Sequence, residues 1–136
     1  MTNPNNSKNI DETNIKALTM KGEVWRQSSI APAYYVSNFG RVYGTLYHKL
    51  IQPETSHGYA RIFIKDLATN QFKHYFVHIL VATEFCKGKS EGAEVHHRNC
   101  DKLDNRASNL IWVTKIVHRY IHRLIDDIER LGGEVV

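Results

Sequence analysis

The sequence predicts a mixed α+β protein in which an antiparallel β region precedes a compact strand–strand–helix unit. In the first half, short runs of aromatic and β-branched residues alternate with polar ones and are separated by turn-like stretches. Near the C-terminus, two more short apolar runs lead into a segment whose apolar residues repeat at helical spacing. At 136 residues, the chain has room for one substantial core.

The first part of the chain divides into a tail and a β module. Residues 1–20 are rich in asparagine and poor in apolar side chains, so we expect a disordered tail. Residues 21–70 are predicted to be the β module. The predicted strands form two pairs, the second of which ends beyond the module: residues 34–36 with 41–43, and residues 59–64 with 72–77.

The second predicted unit covers residues 71–136 and ends in a helix. A buried helix is expected at 77–85, followed by two strands that flank a polar loop, and then by a helix from Lys115 to Leu131. Thr114 is a suitable N-cap and Gly132-Gly133 a suitable stop. We expect the apolar stripe of this helix to pack inward; its members are Val117, Ile121, Leu124, Ile128 and Leu131.

Composition narrows the class of protein. Lysine and arginine number 18 against 14 acidic residues, a basic balance that permits nucleic-acid binding through phosphate contacts without requiring it. The two cysteines lack a CxxC spacing, which is typical of reduced thiols rather than of a disulfide framework. No apolar run is long enough for a membrane helix, and no secretory signal is evident. We therefore expect an intracellular, cytoplasmic protein without a membrane partner.

Four of the eight histidines fall in the C-terminal unit and suggest a site. His96 and His97 end a predicted strand and point to opposite sides of it. His118 and His122 are four residues apart on the predicted helix, so they share a face and can offer two imidazoles to one metal ion. We interpret the set as a metal or catalytic site. A structural zinc site is the alternative, although such sites usually include cysteine and neither cysteine is well placed.

Two stretches resemble a known family. The segment EVHHRNCDKLDNRASNLIWVTKIVH, residues 94–118, resembles the HNH nuclease motif of the ββα-metal fold, and VHILVATEF before it resembles the lead-in of phage and intron-encoded HNH homing endonucleases. Residues 23–64, with EVWR, YVSNFGRV and GYARI, resemble the small DNA-contacting module that often precedes this motif. The implied fold is an N-terminal antiparallel β region followed by a ββα-metal (HNH) nuclease unit.

The resemblance implies a phosphodiesterase acting on double-stranded DNA, with 5′-phosphate and 3′-hydroxyl products. His97 is implied as the general base, with Asn109 either orienting it or pinning its loop, while His96, His118 and His122 hold one divalent metal ion. The ion is left open: Mg²⁺ is common in the family, whereas imidazole ligands suit Zn²⁺, Mn²⁺ or Ni²⁺ better. The DNA contacts we expect come from basic side chains: Arg41, Arg61, Arg98, Lys102, Arg106 and Arg119.

This sequence departs from the family pattern at two positions. Asn99-Cys100 stands where the loop usually carries Asp-Gly, and His96 replaces the Asp or Asn usual in homing enzymes, as in the colicin DNase version of the motif. A DNA-binding regulator with a structural metal is the alternative function, and a toxin-like nonspecific nuclease is a third. No dimer interface is evident, so we predict a monomer that nicks one strand per encounter.

Overall fold

The computed structural model describes residues 4–133, so residues 1–3 of the predicted tail and residues 134–136 of the second unit lie outside it. The described part contains three helices and nine strands in three antiparallel sheets. The helices are α1 (Pro4–Leu18), α2 (Val77–Phe85) and α3 (Lys115–Arg130). None of the helices described is long and apolar enough to cross a bilayer.

The strands follow one another as neighbours within each sheet. The first sheet contains β1 (Trp25–Gln27), β2 (Tyr34–Ser37), β3 (Val42–Gly44) and β4 (Lys49–Leu50). The second contains β5 (Glu54–Ser56), β6 (Tyr59–Asp66) and β7 (Gln71–Phe76). The third is the hairpin of β8 (Glu94–His97) and β9 (Leu110–Val113), joined by a long polar loop that ends in a short 3₁₀ turn. The mixed α+β class predicted from the sequence is confirmed.

The helix α2 organises the core. Most of its residues are apolar, which is typical of a buried helix, and it contacts strands of all three sheets. Leu80, Val81 and Ala82 are inaccessible to solvent and pack with Ile62 of β6 and Leu110 of β9. The two halves of the chain therefore share one core.

That shared core does not agree with a domain boundary at residue 70. The boundary falls in the turn between β6 and β7, and these strands pair at six positions, from Arg61–Phe76 to Asp66–Gln71. Asn70 in this turn has φ +58°, a conformation that asparagine tolerates well, which agrees with the turn expected there. The β module and the strand–strand–helix unit are continuous in the structure.

The prediction of a disordered tail is wrong for residues 4–18, which form α1. The helix is anchored by polar contacts instead of an apolar stripe. Asp11 is buried, and its carboxylate accepts a hydrogen bond from the Tyr43 hydroxyl at 2.8 Å and lies 2.8 Å from Nδ1 of His48. Asn14 donates to the same hydroxyl at 3.0 Å. A search for apolar periodicity cannot detect an anchor of this kind.

The expected inward packing of α3 is also wrong. No residue of this helix is buried: in the stripe, Ile121 and Ile128 are half-buried, and Val117, Leu124 and Leu131 are exposed. The capping prediction holds, because the Thr114 hydroxyl accepts a hydrogen bond from the backbone N–H of Val117 at 3.2 Å. The helix forms where the sequence predicts it, yet its apolar stripe does not join the core.

Candidate active site

The β8–β9 hairpin fixes the first two histidines. His96 pairs with Ile111 and His97 with Leu110, so both lie where β8 ends and the polar loop begins. Because side chains alternate along a strand, His96 faces α3 while His97 faces the opposite side, towards α2 and β6. Both side chains are buried. One strand end therefore supplies histidines to two adjacent but separate environments.

On the α3 side, three histidines form a cluster. A ring nitrogen from each of His96, His118 and His122 lies within 4.8 Å of the others. The Nε2 atoms of His118 and His122 are 3.0 Å apart. On the far side of the His118 ring, Nδ1 lies 2.7 Å from Oε2 of Glu94. The strand histidine and the helical pair thus meet, as their spacing predicts.

The donor chemistry of this cluster fits a divalent ion. Three imidazoles at this spacing suit zinc, nickel, cobalt or manganese, and they leave further coordination positions for water or a phosphate oxygen. Burial lowers the pKa of His96, and the neighbouring histidines His118 and His122 lower it further, so its ring is neutral near neutral pH. A neutral imidazole is the form that binds a metal.

His97 lies outside the cluster and has its own partners. Its Nε2 is 2.8 Å from Oδ1 of Asn105, an atom that can only accept, so Nε2 carries the hydrogen and Nδ1 keeps a lone pair. Burial lowers the pKa of His97, although the contact with Asn105 opposes that shift. The rings of His78 and Tyr59 lie 5.0 Å and 6.0 Å from the His97 ring, measured between centroids. His97 is therefore a neutral, oriented imidazole.

Asn109 is buried and bonded to the loop. Its amide nitrogen donates to Oδ1 of Asn99 at 2.9 Å and to the carbonyl of Asp104 at 2.8 Å, and its amide oxygen accepts from the Asn99 backbone N–H at 3.1 Å. Of the two predicted alternatives, this geometry matches the pinning of the loop. The side chain that hydrogen-bonds to His97 is Asn105, which the sequence did not identify.

The β2–β3 turn supports the same loop from the other side. A Cβ added to Gly40, which has φ +86°, would meet the carbonyl oxygen of Asn105 at 2.8 Å, so only glycine allows this approach. The backbone carbonyl of Asn38 accepts a hydrogen bond from Ala107 N–H at 2.8 Å. The stretch SNFGR, which carries the resemblance to a DNA-contacting module, thus braces the loop beside His97.

The structure separates the predicted DNA contacts into two groups. The Arg41 guanidinium is already hydrogen-bonded within the protein: its Nε donates to Glu23 at 2.8 Å, and its terminal nitrogen donates to the Leu18 carbonyl at 2.6 Å. The expectation that Arg41 contacts DNA does not agree with this geometry. The other five lie nearer to solvent: Arg98, Lys102, Arg106 and Arg119 are exposed, and Arg61 is half-buried.

The more accessible cations have different surroundings. Lys102 helps to line the small cavity beside the histidines, with its ammonium 4.7 Å from the centroid of the Tyr59 ring. Arg106 forms a bidentate ion pair with Asp104. This contact is the chief reason why the pKa of the Asp104 carboxyl falls to about 2. Arg61 donates to Glu54 at 2.8 Å on the outer face of β6.

Sequence reasoning also missed Glu94, which lies two residues before His96 and so on the same face of β8. The alternation of side chains along a strand is the signal that could have identified it. No such signal exists for Asn105, because its place in an irregular loop follows no period. The His78 side chain is buried, and its Nδ1 has no hydrogen-bond partner among the described residues.

A two-stranded hairpin whose end histidine meets a histidine pair on the following helix defines the class of ββα-metal units. Comparison with known proteins agrees: residues 75–120 match the model of the HNH endonuclease family. This segment therefore carries the HNH endonuclease motif, and relatives named as HNH endonucleases are similar over a longer stretch of the chain. The resemblance found in the sequence is confirmed.

The similar proteins are phage and viral nucleases. The chain is 40% identical over 103 residues to an uncharacterized HNH endonuclease, L247, of Acanthamoeba polyphaga mimivirus, a match that covers 71% of this chain and 25% of the relative. It is 37% identical over 86 residues to DNA endonuclease I-HmuI of Bacillus phage SP01, covering 62% of this chain and 48% of that protein. The chain thus spans about a quarter to a half of these relatives.

A solved structure of the HNH homing endonuclease I-HmuI, described for DNA binding and cleavage, superposes with a TM-score of 0.67. The sequence identity is 30%, and the match covers 83% of this chain and 62% of the I-HmuI chain. The similarity extends well beyond the segment matched by the family model. The N-terminal sheets and the hairpin–helix unit therefore occur together in this fold.

Proposed function

We propose that this protein is a metal-dependent DNA endonuclease that hydrolyses phosphodiester bonds. One observation carries the proposal: His97 is a neutral, oriented imidazole that adjoins a three-histidine cluster without belonging to it. Phosphodiester hydrolysis needs a base for the attacking water and separate stabilisation of negative charge on the phosphate. The two histidine environments match these two requirements.

Each residue near the loop has a part in this scheme. His97 accepts the proton of the attacking water on Nδ1, which is the ring nitrogen without a hydrogen. Asn105 holds the ring in that tautomer through its contact with Nε2. Asn109 ties the loop to the hairpin, so that Asn105 remains within reach of His97. The products expected are a 5′ phosphate and a 3′ hydroxyl.

The ion would be held by His96, His118 and His122. When bound, it supplies positive charge to the scissile phosphate and the leaving oxygen. Three imidazole donors favour Zn²⁺, Mn²⁺ or Ni²⁺ over Mg²⁺, which prefers oxygen ligands and retains its waters. We therefore expect Mn²⁺ or another transition metal to support cleavage at a lower concentration than Mg²⁺ does.

The predicted cations that reach solvent suit a DNA partner. Lys102 lines the cavity; Arg98, which directly follows β8, and Arg119, which lies on α3, are exposed. On the outer face of β6 and β7, Arg61 is followed by Phe63, which is exposed and stacks on Phe72 with centroids 4.9 Å apart. A surface that mixes cations with exposed aromatic rings fits contact with a nucleic-acid backbone and its sugars.

The alternative, a regulator with a structural metal, has less support. Structural zinc sites close the coordination sphere with four protein donors, commonly cysteine. The cluster among residues 4–133 provides three histidines, and a purely structural site would not need the additional base that His97 offers beside it. We also propose that the protein acts inside a host cell, since the similar nucleases come from a phage and a giant virus.

We propose a monomer that cuts one strand per encounter, because one hairpin–helix unit offers one base and one three-histidine cluster. Supercoiled plasmid incubated with Mg²⁺, Mn²⁺, Ni²⁺ or Zn²⁺ should give nicked circles before linear DNA, and excess EDTA should stop the reaction.

Raising the salt concentration should weaken DNA binding steeply, because phosphate contacts supply most of the affinity. Linear product without a nicked precursor, together with a dimeric mass, would contradict the monomeric nickase. Cleavage that persists in EDTA would contradict metal dependence.

A further inference from the structure

The carboxylate of Glu94 lies behind the histidine cluster, on the side away from its centre. Glu94 and His96 are two residues apart on β8, so both side chains face α3. Oε2 of Glu94 lies 2.7 Å from Nδ1 of His118, a distance typical of a strong, charge-assisted hydrogen bond. His118 is therefore held from behind by the strand that also supplies His96.

This contact determines which nitrogen of His118 is available to a ligand. An ionised carboxylate can only accept a hydrogen bond, so Nδ1 of His118 must carry the hydrogen. The lone pair is then on Nε2, and this is the atom that lies 3.0 Å from Nε2 of His122, inside the cluster. Without Glu94, a neutral His118 ring would have no partner that selects this tautomer among the contacts described.

The same contact ties the first turn of α3 to β8. Apart from the Thr114 cap, α3 has little holding it, since none of its residues is buried and β8 is the main element that it contacts. Glu94 therefore acts on both the tautomer of His118 and the distance between the strand histidine and the helical pair.

We infer that Glu94 is a positioning residue for the metal site, which aims Nε2 of His118 at the ion. The inference rests on the proposed function, because it takes His118 as a ligand. A carboxylate that accepts from the far nitrogen of a ligand histidine typically raises metal affinity by about 10- to 100-fold. We expect Glu94→Ala to weaken binding of Ni²⁺ or Zn²⁺ by about that factor. Glu94→Gln should lose less, because its amide oxygen can still accept from Nδ1 while the charge is gone.

Two measurements test this on the purified full chain. Isothermal titration with Ni²⁺ or Zn²⁺ gives the affinity of the wild type, Glu94→Gln, Glu94→Ala and His118→Ala. Long-range ¹H–¹⁵N correlation spectra of the metal-free protein give the tautomer of His118, which a merely structural role for Glu94 would not change. Glu91→Gln is the matched control, since Glu91 is an exposed glutamate just before the same strand.

The expected result is a protonated Nδ1 in the wild type, a mixture of tautomers in Glu94→Ala, and an order of affinity from wild type through Gln to Ala. If Glu94→Ala keeps both the wild-type affinity and the tautomer while His118→Ala loses affinity, the positioning role is wrong and the ligand assignment stands. If His118→Ala also binds as the wild type does, the ligand assignment fails and this inference fails with it. Should Glu94→Ala not fold, Glu94→Gln decides by the same two readouts.

Discussion

His96 and His118 face each other across one cluster, yet they belong to parts of the molecule that are held in different ways. His96 is the penultimate residue of β8, and the partner strand β9 begins with Leu110, which lies in the main core. His118 sits in the first turn of a helix that buries none of its residues. We call the β8–β9 hairpin with its loop the strand wall, and α3 the helix wall. One wall is fixed by the fold, and the other is held by a cap and a few polar contacts.

This difference suggests how the site responds to an ion. A ligand that bridges the two walls binds the folded, docked arrangement and stabilises it relative to arrangements in which α3 has moved away. Most of that effect should fall on the helix wall, because the strand wall is already fixed. Parts of a protein with few buried contacts are also the ones that open most readily.

The largest expected effect separates the chemistry of the two walls. His97→Ala should lower the cleavage rate by about 100- to 10,000-fold, the usual contribution of a general base. Its metal affinity should stay near that of the wild type, because His97 is not part of the cluster. Single-turnover cleavage and metal titration measure both quantities, with His48→Ala as an exposed-histidine control, since the His48 ring contacts Asp11 of α1. Near wild-type cleavage by His97→Ala would refute the assignment of the base.

A pair of leucine variants compares the walls by stability. Leu110 is 3% exposed and Leu124 is 48% exposed. Leu110→Ala removes a buried side chain, and we expect it to lower the free energy of unfolding by about 2–5 kcal/mol. Leu124→Ala should change it by about 0.5 kcal/mol or less, as surface substitutions usually do.

Urea unfolding followed by circular dichroism measures both variants. Equal losses would show that α3 is packed in solution and that the two walls do not differ. A loss in Leu124→Ala that grows with protein concentration would point to self-association through the apolar stripe, contrary to the proposed monomer.

The core behind the strand wall should also be sensitive to acid, because α2 places the buried ring of His78 against His97. Burial lowers the pKa of His78 from 6.5 to about 4, and the nearby His97 contributes to the shift. Between these two pKa values, the unfolded chain binds a proton at His78 that the folded chain does not. The stabilisation from the neutral His78 ring is therefore complete above pH 6.5 and is lost as the pH falls to about 4. At about 1.36 kcal/mol per pKa unit, His78 accounts for about 3 kcal/mol.

The variant His78→Phe isolates this contribution. Between neutral pH and about pH 4, the free energy of unfolding of His78→Phe should fall by about 3 kcal/mol less than that of the wild type. Urea midpoints at several pH values measure it, with the exposed His57 replaced in a control. Parallel pH curves for wild type and His78→Phe would show that His78 is not the origin of the acid sensitivity.

The parts of the molecule also differ in how far the sequence predicts them. The bounds of α2, the hairpin, the Thr114 cap and the meeting of the histidines follow from period, spacing and cap chemistry, which are local signals. The anchoring of α1 by Asp11, the contact of Asn105 with His97 and the exposure of the α3 stripe depend on which partner lies opposite. Amphipathic spacing predicts that α3 is helical, but it does not identify what covers the apolar side.

The smallest expected effect concerns the loop of the strand wall, where Cys100 stands at a position usually held by glycine. Cys100 has φ +62°, in the left-handed region that costs a residue with a Cβ about 1 kcal/mol relative to glycine. Cys100→Gly should therefore raise the free energy of unfolding by about 1 kcal/mol, less the greater chain entropy of glycine in the unfolded state. Cys100→Ala removes the thiol but keeps the strain, so its stability should match the wild type. Cys86→Gly should be destabilising, because Cys86 has φ −112° and packs against the core. Thermal unfolding of the three variants shows whether each is more or less stable than the wild type. If Cys100→Gly and Cys100→Ala lose stability to the same extent, the thiol contributes to stability and the backbone at residue 100 is not strained.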